Sequence, residues 1–76
     1  MPTILMIGKL KFMIYFKDHG HPHVHVIGPG AEAKVLIENQ AVINHKGFTA
    51  KELKLVQKAV AEYKEELMEA WEDANN

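Results

Sequence analysis

The apolar positions of this chain change period once, close to residue 48. Before that point they fall in short runs: residues 1–7 (MPTILMI), 10–16 (LKFMIYF), 23–27 (HVHVI) and 33–37 (AKVLI). Runs of this length, rich in Val, Ile, Phe and Tyr, predict strands. Gly8-Lys9, Gly20 with Pro22, and Gly28-Pro29-Gly30 supply the breaks between them. Val42 and Ile43 predict a short fifth strand, and residues 44–47 a loop. Beyond residue 48, Leu53, Val56, Val60, Tyr63, Leu67, Ala70 and Trp71 recur at steps of three and four, which is one face of a long helix. Thr49 and Glu52 fit the N-cap and N3 positions of a capping box, with Phe48 and Leu53 as the flanking hydrophobic staple.

This pattern predicts a single α+β domain over residues 1–76. A small antiparallel sheet of four to five strands, about residues 2–43, would pack on one long C-terminal helix, about residues 49–74. Roughly 24 helical residues span about 36 Å. A compact chain of this length is only about 30 Å across, so the helix is expected to overhang the sheet. The second strand carries apolar bulk on both sides. Phe12, Ile14 and Phe16 share one side, while Met13 and Tyr15 share the other with Lys11. One helix covers one face of a sheet. The other face is therefore expected to meet a second copy of the chain, as a homodimer, or a small cognate protein, or a ligand.

Composition narrows the chemistry. The chain has no Cys, so it has neither disulfides nor thiol chemistry, and any metal must use N and O ligands. The formal net charge is −1, which gives no overall nucleic-acid signature, but the charges are unevenly spread. Residues 1–47 hold five Lys against three acids; residues 48–76 hold four Lys against seven. Such asymmetry predicts two different faces. All nine cationic side chains are Lys, so no bidentate phosphate fork is available. The leading apolar run is short and is followed by Lys9 and Lys11. Neither a signal peptide nor a membrane span is expected, and the expected location is cytoplasmic.

The densest chemistry lies in residues 18–26, DHGHPHVHV, where His19, His21, His23 and His25 alternate with other residues. In a strand, residues two apart share a side at about 6.7 Å. His23 and His25 would therefore sit together, leaving Val24 and Val26 for the core. Two imidazoles so placed can converge on one divalent metal such as zinc, nickel or copper. Asp18 or His19 would supply further ligands. The side taken by His19 and His21 is left open, because Gly20 and Pro22 let the chain bend. Alternatively the pair works without metal. Lys11, Met13 and Tyr15 on the second strand and Lys34 and Leu36 on the fourth are same-face candidates. Two His, two Lys and a Tyr could hold a phosphate and move protons, as RNA 2′-hydroxyl transesterification requires. The catalytic candidates are then His23, His25 and His19, with Lys11, Lys34 and Tyr15 as phosphate or substrate contacts. His45 is read as exposed in its loop. The acidic end of the helix, Glu65, Glu66, Glu69, Glu72 and Asp73, is either a solvated tail or a surface for a basic partner.

These segments together resemble a family of very small bacterial proteins known as domain of unknown function, family 4160. The resemblance runs over nearly the whole chain. It is carried above all by Asp18, His19, His23, Val24, His25 and Val26, and at the helix end by Glu66, Leu67 and Trp71. The chain departs at Met6, where members often carry Arg. The resemblance implies a compact α+β protein encoded beside a second small protein, in a toxin–antitoxin-like arrangement. The function expected from the residues and the resemblance together is a toxin-like component, ribonuclease-like if it is an enzyme. The alternatives are an antitoxin-like or regulatory binding module, or a simple metal-binding protein.

Overall fold

In the computed structural model, residues 3–15 and 20–75 are described, and they form a five-stranded antiparallel sheet followed by two helices. The strands are β1 (Thr3–Ile7), β2 (Leu10–Met13), β3 (His23–Gly28), β4 (Ala31–Leu36) and β5 (Val42–Lys46). Each pairs only with its neighbours in sequence, in the order β1-β2-β3-β4-β5. This is a meander, the simplest outcome of short runs joined by tight turns. Ile7 faces Leu10 and Gly28 faces Ala31, so Gly8-Lys9 and Pro29-Gly30 are two-residue turns. Gly30 has φ +66°, which a side chain would resist. Gly47, with φ +86°, is constrained further, because a β-carbon there would run into the Gly30 carbonyl oxygen.

The fifth strand is longer than the sequence pattern implies. It runs through Asn44, His45 and Lys46, which were expected to form a loop. Its ladder partners on β4 explain this: Glu32 faces Lys46, Ala33 faces His45 and Lys34 faces Asn44. The ladder satisfies the backbone whatever the side chains are. The second strand is shorter than expected, ending at Met13; Phe16 lies outside the described residues.

The single long helix is in fact two: α1 (Ala50–Glu62) and α2 (Lys64–Asn75). The capping box forms as expected. The Glu52 amide donates to Thr49 Oγ1 at 3.1 Å, and the Thr49 amide donates to Glu52 Oε1 at 2.8 Å. At Tyr63 the backbone leaves helical geometry, with φ −105° and ψ 24°. The hydrogen-bond ladder still runs through the break, from the Tyr63 amide to Ala59 O and from the Leu67 amide to Tyr63 O. The break is therefore a bend. A straight helix of the combined length would reach about 39 Å, beyond the molecule's longest dimension of 33 Å. Bending keeps the second half on the core instead of overhanging it, so that Leu67 and Trp71 are buried with Val56 and Val60.

Phe12, Val24, Val26, Ala33 and Val35 form the helix-facing side of the sheet, and Ile14 and Ile37 extend the same core. Burying each large apolar side chain contributes roughly 1.5–3 kcal/mol. The loop before β5 is tied down as well. The Gln40 side chain donates to Ile37 O, and the Gln57 side chain on α1 donates to Gln40 O at 2.7 Å. No helix among the described residues is long and apolar enough to cross a membrane.

Candidate functional site

The candidate chemistry lies on the side of the sheet away from Phe12, Val24, Val26, Ala33 and Val35. Period-two alternation sends Val24 and Val26 into the core and His23 and His25 the other way. Register then fixes the neighbours of His25: Met13 on β2, Lys34 on β4 and, one strand further, Asn44 on β5. The adjacent row is Met6, Lys11, Ile27, Glu32 and Lys46. Both rows follow the alternation read from the sequence, so Lys11, Met13 and Lys34 share the face of His25 as expected.

Four rings form a line across the end of this face. Tyr15 lies against His25 with centroids 4.6 Å apart, and His25 lies against His23 at 5.1 Å, both edge to face. His23 in turn contacts Trp71 of α2 at 4.9 Å. The two ends of the line differ sharply. His23 is 2% exposed, and it is the one buried polar side chain among the described residues. Its Nδ1 lies 2.8 Å from the His21 carbonyl oxygen. A carbonyl only accepts, so Nδ1 carries the hydrogen and, in the neutral ring, Nε2 carries the lone pair. His25 is half-buried, and Tyr15 is exposed.

A shallow cavity of about 440 Å³ opens beside His25, lined by His25 and Ile27 of β3, residues 32–34 of β4 and residues 44–46 of β5. Alternation turns Lys34, Asn44 and Lys46 towards the His25 face and His45 towards the other. Two lysines against Glu32 leave the cavity cationic. Among the described strand residues this face holds Lys11, Lys34 and Lys46 against Glu32, whereas Glu65, Glu66, Glu69, Glu72 and Asp73 are exposed on α2. The two faces inferred from charge asymmetry are thus the open sheet and the second helix.

The structure brings together His25, Lys34 and Tyr15, with Lys11 one row away. It places His23 beside them but inside the protein, against Trp71. Asp18 and His19 lie outside the described residues. Among the described residues, no three His, Asp or Glu side chains gather into a metal site, so a metal on His23 and His25 would need Asp18 or His19. The Nδ1 bond of His23 fits such a ligand, since ligating imidazoles commonly donate their other nitrogen to a carbonyl. Sequence reasoning missed Asn44 and Lys46. The alternation of residues 42–46 was the available signal, masked by the polarity of Asn-His-Lys.

A family model described as a domain of unknown function (DUF4160) matches residues 10–72, a stretch that includes β2 to β5, the ring line and nearly all of both helices. No curated protein and no solved structure matches the chain.

Proposed function

The chain belongs to the DUF4160 family, whose description assigns no activity, and on that premise we propose from the site itself a toxin-like component of a two-protein toxin–antitoxin-type module, acting on RNA through His25. One observation carries this reading: the half-buried His25 imidazole stands between the Tyr15 ring and Lys34 on an open cationic face. Cleavage by 2′-hydroxyl attack moves one proton off that hydroxyl as the new P–O bond forms. A second proton goes onto the departing 5′-oxygen as the old bond breaks. His25 serves one transfer and His19 is the candidate for the other. Lys34 and Lys11 offset the phosphate charge, and Tyr15 offers a ring to a neighbouring base. His23, being buried, holds His25 in place. In tag-free protein, His25→Ala should lower cleavage of a short RNA by about a hundredfold or more and relieve growth inhibition on expression. Unchanged cleavage would end this reading.

A second reading is a non-enzymatic, antitoxin-like or regulatory module, and the exposed acidic side of α2 favours it. Deleting α2 would be a poor test, because Leu67 and Trp71 belong to the core. Replacing Glu65, Glu66 and Glu69 by Gln should abolish capture of a basic partner without unfolding the chain. In a metal-binding variant of either reading, His23, His25 and a third ligand from Asp18 or His19 hold zinc, nickel or copper. Stoichiometric binding lost in His23→Ala/His25→Ala supports it; no uptake by the wild type excludes it.

A further inference from the structure

The β5 side of the open face completes the surface around His25. Asn44 shares a row with His25 and Lys34, and Lys46 lies diagonally across from Lys34 on the same side. Both line the cavity. We propose that the open face binds single-stranded RNA, with an unstacked base on Tyr15 and a phosphate further along the strand held by Lys34, Asn44 and Lys46. This rests on the RNA reading above and names its substrate class.

Three observations point to a single strand. Tyr15 is 38% exposed with its ring against His25, and an aromatic ring at the end of a sheet can stack a base only if that base is unpaired. The surface is an open antiparallel sheet with a shallow cavity, so among the described residues no element projects far enough to enter the deep, narrow groove of an RNA duplex. The cations run across the strands. From β2 to β5 the distance is roughly 14 Å at about 4.8 Å per strand, a path suited to a short extended segment. Glu32, opposite Lys46 in the ladder, tempers that lysine and limits the site to few phosphates. Asn44 adds an uncharged donor and acceptor at the phosphate end.

The test measures binding apart from cleavage, with a short labelled 2′-O-methyl oligoribonucleotide that lacks the attacking hydroxyl. The wild type should bind the single strand at least about tenfold more tightly than its duplex. Lys46→Ala should weaken binding about fivefold and reduce the slope of log affinity against log salt by about 0.7, one phosphate contact on a single strand. Lys46→Arg should restore both. Asn44→Ala should weaken binding with the slope unchanged. Equal affinity for duplex, or a Lys46→Ala variant with unaltered affinity and slope, overturns the platform while leaving the His25 cleavage assay to stand by itself. Binding as described without any cleavage of ordinary RNA by the wild type keeps the platform and removes the catalytic reading. Failure to bind either form overturns both.

Discussion

His23 and His25 are two residues apart on one strand and face the same way, yet they occupy opposite environments. His23 is sealed by Trp71 of α2 and by the His21 carbonyl, while His25 stands at the rim of a cationic cavity beside the exposed Tyr15 ring. The difference comes from the helix. Trp71 of α2 lies against the His23 ring, while the ring neighbours of His25 are Tyr15 and His23. A motif that looks symmetric in sequence is therefore divided in space into a buried imidazole and a half-buried one.

The sharpest way to break that division is at the closed end. Trp71→Ala should cost about 3–5 kcal/mol in urea unfolding, since it empties a core site as well as uncovering His23. His23→Ala should cost less, about 1–3 kcal/mol, for the lost contact and the stranded carbonyl. If it leaves the unfolding midpoint unchanged, His23 is not the support described above. At the open end the balance reverses. His25→Ala should cost less stability than His23→Ala while abolishing the RNA response. A large loss of stability in that variant would make the two imidazoles equivalent and remove the comparison.

Much of this arrangement is legible in the sequence. The change from period two to period 3.6, the turn residues and the Thr49–Glu52 box give the number and order of the strands and the helix start, though not the ends of β2, β4 and β5. Strand alternation also puts Lys11, Met13 and Lys34 with His25, because side-chain facing depends only on register and pleat. Two features escape such reading. The bend at Tyr63 involves neither Gly nor Pro, so no residue type marks it in the sequence. The burial of His23 involves a Trp 48 positions later in the chain. Periodicity shows which side a residue faces, but it does not show how far a distant helix extends over that side. The β5 residues Asn44 and Lys46 escaped for another reason: an edge strand held by its ladder tolerates polar side chains that resemble a loop.

Histidine acylation read by mass spectrometry, with and without a short single-stranded RNA, tests the division most directly. The account predicts that His25 is modified and that RNA protects it, while His23 stays unmodified in both cases. Modification of His23 as fast as His25, or a His25 rate indifferent to RNA, would contradict it.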